Sequence, residues 1–586
     1  MIASIDTPVT RVGKGTSPAL PASGDSHAHK VAERRVGEVQ LKVSVVIPVY
    51  NPGSYIGDCI QSMIGQSLPA AEYEVVFVDD GSTDDTPALL DKIAAEHTNI
   101  RVVHEQNSGW SGRPRNVGID CSQGEYVMFA DHDDSLGAQA LERMYEYGTA
   151  HNADIVIGKM AGKGRPVPRE LFSRNRPHAT LTDDPLIDSL TPHKMFRRAF
   201  LNEHELRFPE GRRRLEDHVF VVHAYLIADR ISVLSDYVCY YHVRRDDAAN
   251  AGFRPLDPAG YFANLREALA IVAEHTEPGP LRDKLLRRWL RVEMVERLRG
   301  ARLLDAPPDY RRTLLAEIQA VMRDHMGPPV AAGLPAPQRV VADLAAAGRL
   351  ADLEALADWE KRIGAWCHLD DLHWHDGTLR IGFSAQLRVD GEPVTARSSA
   401  GRTTVDPPLL PSVLAALYRE QELTGRALPA NARAVLVLRY RDTGAEFALP
   451  TERSVEGDPG VLVHGAAVLD PATALSGRPL ENGIWDIWVR LHSLGWTKDA
   501  RIGARRSAKA FGEHAEKGFS AAGRARMVLP YWTTPHGNLS LRVRKQPAPA
   551  APRNAPSLSR RVARRLPAPV KGGLRRVRRL IRAFGK

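Results

Sequence analysis

The chain has 586 residues, of which 43% are hydrophobic and 25% are charged, so it has the composition of a globular protein with several domains. No apolar run approaches the roughly 18 residues needed to span a bilayer, and we expect no secretory signal. The four cysteines lack CxxC spacing, which argues against a disulfide framework or a zinc site and favours the cytoplasm.

The net charge of +9 is unevenly distributed along the chain. Residues 545–586 contain 13 Lys or Arg and no acidic residue, which leaves 66 basic against 70 acidic residues elsewhere. The basic character therefore belongs to the C-terminal end. Because no aromatic-interleaved platform or recognised nucleic-acid module accompanies it, we expect no specific nucleic-acid partner.

The N-terminal part of the chain changes character near residue 40. Residues 1–40 are rich in Pro, Ser, Gly and Ala without periodicity and are predicted to be disordered. Beyond them, short β-branched runs alternate with helical stretches, which predicts a mostly parallel, doubly wound α/β sheet. The predicted strands are Val43–Tyr50, Glu74–Asp80, Ile100–His104, Tyr126–Ala130 and Asp154–Gly158, and the helices include Tyr55–Ser67, Thr86–His97 and Leu136–His151.

Polar residues follow the first two strands, where ligands of such sheets bind. The first strand ends in Pro48–Asn51, and Tyr50 can offer a stacking face to a base. The second ends in DDGSTDD, where Asp79 or Asp80 can accept hydrogen bonds from a uracil or a ribose and Gly81 permits the turn. Taken alone, this segment would be an ordinary capped strand-to-helix turn.

Two further segments carry charge toward the same edge of the sheet. The loop NSGWSGRPRN contains Arg113 and Arg115, which could approach a diphosphate, although such a segment can also be a plain surface loop. In YVMFADHDD a buried strand ends at Asp131, Asp133 and Asp134. Carboxylates this close repel one another unless a cation or a basic partner lies among them, and Mg²⁺ and Mn²⁺ take such oxygen ligands. A solvated acidic turn is the alternative.

These motifs, in this order and spacing, resemble the family 2 glycosyltransferases, which implies a GT-A nucleotide-diphospho-sugar transferase domain over residues 41–257. The segments TPHKMFR, EDHVFVVHAYLIADRISVLSD and YYHVRRDD are similar to the bacterial poly(ribitol phosphate) N-acetylglucosaminyltransferases that decorate wall teichoic acid. The resemblance implies an inverting, metal-dependent enzyme. Its expected substrates are a UDP-sugar donor, with N-acetylglucosamine as the expected sugar, and an anionic polyol-phosphate polymer.

The same resemblance implies roles for individual residues. Asp217, from the Glu216-Asp217 pair that opens an apolar helix, would be the general base, although helix capping alone also favours acidic residues there. Asp133 would hold Mn²⁺ or Mg²⁺, Arg165 would line the donor pocket, and Arg245 would face the diphosphate or the acceptor. The residues expected to contact the UDP-sugar are Pro48, Asp80, Asn107, Arg115, Asp131 and His132.

The remaining chain is predicted to form a helical linker over residues 258–363 and one or two β-sandwich modules over residues 364–545. By their resemblance to relatives, the modules would serve self-association or polymer binding, so a homo-oligomer is possible. One cluster could suggest a metal site, but its polar residues alternate along a strand and turn, which favours a solvated face. Its members are His368, Asp370, Asp371, His373, His375 and Asp376.

Residues 546–586 are predicted to form a Pro/Ala-rich linker and a basic amphipathic tail. Apolar residues recur there at helical spacing among arginines, which favours a helix on an anionic membrane, on the inner face of the cell membrane; a disordered basic tail is the alternative. These apolar residues are Leu574, Val577, Leu580, Ile581 and Phe584. A second function also stays open, that of a polymer-binding scaffold with an inactive transferase domain.

Overall fold

The computed structural model describes residues 41–245, 256–457, 460–510, 516–521 and 524–546. The predicted disordered segment 1–40 and the predicted amphipathic tail lie outside these residues. Among the helices of the described ranges, none has both the length and the apolarity to cross a membrane. The four cysteines are free thiols, as their spacing predicts.

The N-terminal domain alternates strands and helices, which confirms the predicted α/β class. Its strands are β1 (Val43–Val49), β2 (Tyr73–Asp79), β3 (Ile100–His104), β4 (Tyr126–Phe129), β5 (Ser135–Leu136), β6 (Ile155–Lys163), β7 (Arg176–Ala179), β8 (Met195–Arg197) and β9 (Ile231–Val243). Its α-helices are α1 (Ile56–Ile64), α2 (Thr86–Glu96), α3 (Gly112–Cys121), α4 (Ala140–Ala150), α5 (Arg198–Glu203) and α6 (Glu216–Ile227).

The sheet is mixed, with strand order β3-β2-β1-β4-β8-β6-β9-β5 and β7 beside β9. Strands β1 to β4 run parallel to one another and β6 runs parallel to β9, but β8 is antiparallel to both β4 and β6, and β9 is antiparallel to β5 and β7. The second half of the sheet is therefore mixed, which corrects the expectation of a mostly parallel sheet there. Burial on both faces produces the same apolar runs in either direction, so the residue pattern does not reveal strand polarity.

The central strands form the core and fix the position of the neighbouring helix. Every residue of β1 and β2 is buried. Helix α3 lies directly on β1 because Gly118 has no side chain, and a Cβ there would lie 2.1 Å from Cγ1 of Val46. This close approach carries the N-terminal turn of α3, with Arg115, to the carboxyl end of the sheet.

The predicted helical linker is confirmed. Helix α8 (Pro280–Trp289) continues through one wide and one tight turn to Leu298. The apolar periodicity of Pro337–Lys361 predicts one helix, which is interrupted at Gly348, where φ is +70°. The indole Nε1 of Trp289 donates a hydrogen bond of 3.3 Å to Nδ1 of His218 on α6. The helices are α7 (Pro258–His275), α8 (Pro280–Trp289), α9 (Gly300–Leu304), α10 (Pro308–His325), α11 (Pro328–Ala332), α12 (Ala336–Ala346) and α13 (Leu350–Lys361).

The described part of the C-terminal region is built of antiparallel sheets, as the predicted β-sandwich modules require, and it includes one α-helix, α14 (Ser412–Glu420). One sheet has the order β10-β11-β18-β17 with β12 beside β11, another has β16-β15-β19-β23-β22-β21 with β20 beside β19, and β13 pairs with β14. A sandwich arrangement of these sheets stays a prediction. The strands are β10 (Ile363–His375), β11 (Thr378–Val389), β12 (Glu392–Pro393), β13 (Thr395–Ser399), β14 (Arg402–Asp406), β15 (Arg433–Tyr440), β16 (Glu446–Ala448), β17 (Thr451–Glu456), β18 (Leu462–Leu469), β19 (Gly483–Ser493), β20 (Trp496–Arg501), β21 (Lys517–Ala521), β22 (Arg524–Trp532) and β23 (Leu539–Lys545).

The His/Asp cluster of the C-terminal region lies along β10 and the turn that follows it. Its members pair locally along the strand: Nδ1 of His368 lies 2.7 Å from Oδ1 of Asp370, and Nδ1 of His373 lies 2.7 Å from Oδ2 of Asp371. A register shift between Leu369 and Asp371 leaves both pairs on one face of the sheet, but they are not among the described groups of three or more ligand atoms that lie within 4.8 Å of one another. This arrangement supports the solvated strand face.

Candidate active site

A cavity of about 1060 Å³ lies beyond the carboxyl ends of β1, β2 and β4. Its size is that of a pocket for a substrate larger than a single sugar. The cavity is lined by residues that the sequence predicts for the site, although they come from segments far apart in the chain; their individual roles stay predictions. They are Pro48, Tyr50, Asp80, Asn107, Arg115, Asp131, His132, Asp133, Arg165, Asp217 and Arg245. Arg113, the other arginine expected near a diphosphate, pairs with Glu105 at 2.9 Å and lies outside this lining.

At the end of β2, the structure separates two neighbouring carboxylates. Both carboxylate oxygens of Asp79 contact neighbouring protein groups: Oδ1 accepts a 3.0 Å hydrogen bond from the amide of Ser82, and Oδ2 lies 2.9 Å from Nδ1 of His104. Asp80 lines the cavity, and its Oδ1 accepts a 2.9 Å hydrogen bond from the amide of Ser108. Of the two residues that the sequence left open, Asp80 is therefore the one available to a nucleoside.

The turn after β2 is held against the loop that carries Asn107. The side-chain amide of Asn107 donates a 2.9 Å hydrogen bond to the carbonyl of Asp80. Gly81 has φ of +72°, and a Cβ there would lie 2.8 Å from the amide nitrogen of Asn107. A left-handed backbone this close to a neighbour accepts glycine, as the sequence predicts. Burial raises the pKa of Asp80, and the hydrogen bonds from Ser108 offset part of that rise.

The ends of β1 and β4 are joined by a side chain. Nδ1 of His132 lies 3.1 Å from the carbonyl oxygen of Pro48, so the Nδ1–H tautomer donates to it. On β1, strand β4 pairs only with Val43–Val46, so Pro48 lies beyond that ladder and its lack of an N–H breaks no hydrogen bond to β4. Tyr50, with 47% of its surface exposed, stands on the rim of the cavity. Stacking of a base on Tyr50 stays a prediction.

Two arginines approach the cavity from the far strands of the sheet. Arg165 follows the turn at Gly164, where φ is +74°, after the end of β6. Arg245 follows β9, and its guanidinium lies 4.2 Å from the ring centroid of Tyr55, a cation–π contact that restricts its position. Both side chains therefore bring positive charge to the lining of the cavity.

Arg115 links two acidic segments of the site. Its Nη2 lies 2.9 Å from Oδ1 of Asp131, and its Nη1 lies 3.1 Å from Oε1 of Glu216 and donates to Ser111 Oγ at 3.0 Å. Its guanidinium also lies 5.2 Å from the ring centroid of Phe208. Arg115 is only 4% exposed. Its observed partners are thus protein carboxylates, and direct contact with a UDP-sugar stays a prediction.

The same ion pair sets the charge of Asp131. Burial alone would raise the pKa of its carboxyl, but His193 at 3.1 Å and Arg115 at 2.9 Å outweigh burial and hold the pKa well below its usual range. Asp131 is therefore a carboxylate at neutral pH. It lies at the edge of the cavity with its negative charge already compensated by the protein.

The acidic residues after β4 fit a divalent cation. Carboxylate oxygens of Asp131, Asp133 and Asp134 lie within 4.8 Å of one another. Asp134 is buried and accepts 2.7 Å hydrogen bonds from the hydroxyl of Tyr240 and the amide of Val243, so it serves the fold. Asp133 lines the cavity and is the member placed to bind an ion there. Hard oxygen ligands of this kind suit Mg²⁺ or Mn²⁺.

Two buried histidines near this cluster were not predicted as metal ligands from the sequence. His193 and His242 place ring nitrogens within 4.8 Å of a carboxylate oxygen of Asp134, which makes a second group of metal-ligand type. His193 stacks on Tyr240 with ring centroids 4.3 Å apart. Both histidines were visible within the TPHKMFR and YYHVRRDD segments, but only the pairing of β8 and β9 with their neighbours brings them to the aspartates.

The helix that carries Asp217 begins at a strained residue. Leu215, at the N-terminus of α6, has φ of +64° and ψ of +19°, a left-handed conformation that is costly for a residue with a Cβ. The bend lets Glu216 accept a 2.8 Å hydrogen bond from Ser111 while Asp217 lines the cavity. Burial, followed by the charge of Glu216, raises the pKa of Asp217 to about 7. A carboxylate with such a pKa suits a general base at neutral pH.

The helical linker forms one wall of the cavity. This contact was not predicted from the sequence. Periodicity identified these segments as helices but contains no information on which face meets the transferase domain. The residues that line the cavity from this side are Leu256, Tyr261, Arg297, Arg302, Ala306, Pro307 and Tyr310.

Comparison with protein families gives three matches along the chain. The model described as glycosyl transferase family 2 matches residues 44–208. The model of the glycosyl transferase TarS linker domain matches residues 258–357, and that of the TarS beta-glycosyltransferase C-terminal domain 1 matches residues 361–543. The three models follow one another in the order of the domains described above.

Individual relatives point in the same direction. The chain is 36% identical over 235 residues to a poly(ribitol-phosphate) beta-glucosyltransferase of Bacillus spizizenii, covering 40% of this chain and 37% of that protein. It is 39% identical over 287 residues to the poly(ribitol-phosphate) beta-N-acetylglucosaminyltransferase TarS of Staphylococcus aureus, covering 48% and 50%. The match to TarP of the same species is 33% over 231 residues, covering 39% and 70%. The chain thus spans about half or less of the length of the first two relatives.

Among solved structures, that of S. aureus TarS 1-349 in complex with UDP-GlcNAc is similar, with a TM-score of 0.50 and 24% identity. The similarity covers 66% of this chain and 99% of that one. At this level of identity the likeness establishes the fold.

Proposed function

Since this chain belongs to the family 2 glycosyltransferases, we propose that it transfers a sugar from a UDP donor to a hydroxyl of a poly(ribitol phosphate)-like polymer. The proposal is supported by three carboxylates that line one cavity. They are Asp80, proposed to bind the nucleoside, Asp133, proposed to bind a metal ion, and Asp217, whose pKa is raised. We expect N-acetylglucosamine as the sugar, with glucose as the alternative suggested by the relatives' names.

The proposed reaction is a single displacement that inverts the anomeric centre. Asp217 accepts the proton of the acceptor hydroxyl as that oxygen bonds to the anomeric carbon, and the bond from this carbon to the UDP oxygen breaks. Tyr50 and Asp80 hold the base and ribose end of the donor, Arg165 lines the donor pocket, and Arg245 faces the diphosphate or the acceptor. A divalent ion bound at Asp133 would offset the negative charge of the departing UDP.

The direct test is UDP release from a panel of UDP-sugars with poly(ribitol phosphate) as the acceptor, with Mn²⁺ or with a chelator. We expect turnover of one donor, and loss of that turnover on chelation. Binding of a UDP-sugar in calorimetry without turnover on any polyol-phosphate polymer would contradict the acceptor. Absence of any UDP-sugar binding would favour the alternative of a polymer-binding scaffold with an inactive transferase domain.

The metal role of Asp133 gives a separate prediction. Asp133→Asn should lower kcat/KM by about 100-fold or more, because loss of the ion removes several kcal/mol of charge stabilisation from the transition state. It should also abolish the enhancement of UDP affinity by Mn²⁺ in calorimetry, a readout that does not depend on turnover. The matched control is Asp58→Asn on the exposed face of α1. Retained Mn²⁺ dependence of UDP binding in Asp133→Asn would refute the assignment.

The raised pKa of Asp217 predicts the pH dependence of the reaction. A general base must be unprotonated, so kcat/KM should be constant above a pKa of about 7 and fall about tenfold per pH unit below it. Initial rates between pH 5.5 and 8.5 measure this limb. The dissociation constant of the UDP-sugar, measured over the same range, separates donor binding from chemistry. A rate that stays constant down to pH 5.5 would argue against Asp217 as the base.

For the parts beyond the cavity, we propose that the C-terminal sheets form β-sandwiches that serve self-association or polymer binding. Their antiparallel order and their match to the TarS C-terminal domain model support this proposal. We retain the proposal of membrane attachment through the predicted tail. Liposome binding by the full chain would test it.

A further inference from the structure

A turn of the C-terminal region contacts the segment that leads to Arg165. The turn joins β15 to β16, and within it the amide of Gly444 donates a 2.8 Å hydrogen bond to the carbonyl of Tyr440. Gly444 has φ of +73°, and a Cβ there would lie 2.5 Å from the carbonyl oxygen of Gly162, near the end of β6. A left-handed backbone this close to a neighbour favours glycine. The two backbones therefore touch just before Arg165.

Charged side chains join the same two regions beyond Arg165. Nε of Arg169 lies 3.1 Å from Oε2 of Glu446 on β16, and its Nη1 lies 3.2 Å from Oδ2 of Asp499 on β20. Arg490 of β19 holds both carboxylates in place, at 2.8 Å from Glu446 and 2.9 Å from Asp499. Charges that form a network of this kind restrict position more than an isolated surface pair does. Arg165 thus lies between two points of the transferase domain that the C-terminal region contacts.

The contact between the two regions has a buried centre. Lys159 of β6 is 6% exposed, and its Nζ lies 3.9 Å from the ring centroid of Phe447, which follows Glu446 and is 3% exposed. An ammonium group over a desolvated aromatic face makes a cation–π contact. A buried centre surrounded by charged side chains is the organisation of a stable protein interface.

The segment between these contacts depends on them for its shape. Residues 164–170 form no strand or helix, and they carry Arg165 into the lining of the cavity. On the side of the transferase domain, the amide of Arg244 donates a 2.8 Å hydrogen bond to the carbonyl of Lys163, which connects the segment to the residue before Arg245. An irregular segment is held by the groups that it packs against, so the C-terminal contacts fix the position of Arg165.

We propose that the β15–β16 turn and Glu446 form a positioning element that holds Arg165 at the cavity, so that docking of the C-terminal region raises the affinity for the donor. The inference rests on the proposed function and assigns the C-terminal sheets a part in the transferase site, beyond self-association or polymer binding. Neither Gly444 nor Glu446 lines the cavity, so both act through residues 164–170.

The test compares Arg169→Gln in the full chain with Arg174→Gln, which removes the same charge from an exposed position further along the chain. We expect Arg169→Gln to raise the KM for the UDP-sugar about fivefold with kcat and the KM for the polymer unchanged, and Arg174→Gln to change none of the three. Arg169→Lys should recover part of the loss, since it keeps the charge without the guanidinium fork that reaches both carboxylates. Gly444→Ala should raise the same KM through the other contact, because its Cβ would press on Gly162. An effect confined to the KM for the donor separates positioning from a general loss of folding.

Hydrogen exchange of the full chain measures the contact without turnover. The amides of residues 162–170 should exchange about tenfold faster in Arg169→Gln than in the wild type, and at the wild-type rate in Arg174→Gln. Equal exchange in all three proteins, or faster exchange with an unchanged KM for the UDP-sugar, would overturn the proposal. A wild-type chain that binds no UDP-sugar would instead contradict the proposed function, and the exchange rates alone would then decide whether the turn holds this segment.

Discussion

Asp217→Asn should reduce sugar transfer by about 1000-fold while leaving the affinity for the UDP-sugar within about twofold. A positioned general base contributes typically 10² to 10⁴-fold to rate. The amide has almost the same shape as the carboxylate but cannot accept the proton of the acceptor hydroxyl. Asp217 lines the cavity at the first turn of α6 and forms no salt bridge with another described residue, so the change should not disturb the site.

The measurement is a single-turnover assay with saturating donor and acceptor, with calorimetry for donor affinity. Asp229→Asn, an exposed position just beyond the other end of α6, makes the same chemical change and should retain wild-type activity. If Asp217→Asn turned over at the wild-type rate, another group would have to be the base. The raised pKa of Asp217 would then reflect only its burial beside Glu216.

Arg115→Met should both destabilise the transferase domain and abolish transfer. Methionine fills part of the space but leaves the carboxylates of Asp131 and Glu216 without their shared cation, and breaking a buried pair in this way costs about 3–5 kcal/mol. Glu216 is 6% exposed and Arg115 is 4% exposed, so water cannot replace the lost partner. Activity should fall because the start of α6 is no longer tied to the end of β4.

Chemical denaturation monitored by intrinsic fluorescence measures the loss as a lower transition midpoint. Arg113→Met is the matched control, since Arg113 lies two residues away on the same helix and its pair with Glu105 is on the surface. We expect no measurable shift for Arg113→Met. Equal midpoints for the two variants would mean that the Arg115 bridge does not stabilise the fold.

Several local features follow from the residues nearby in the sequence. The strand Ile100–His104 has the predicted bounds, and α6 begins at Glu216, where an acidic pair precedes an apolar run. The polarity of β8 did not follow, because apolar patterning is the same for parallel and antiparallel neighbours. The break at Gly348 was missed because apolar periodicity continues on both sides of it.

The sequence by itself determined that the residues after β2 and β4 reach the site, since motifs at the ends of parallel strands must meet at one edge of the sheet. Asp80, Asp131 and Asp133 are of this kind. Only the tertiary structure decided which partners surround each carboxylate and offset its charge. Arg115 and Glu216 are 101 residues apart in the chain, and Arg302 reaches the cavity from a separate helical region. Spacing and periodicity describe contacts within one element, whereas these contacts arise from packing between elements.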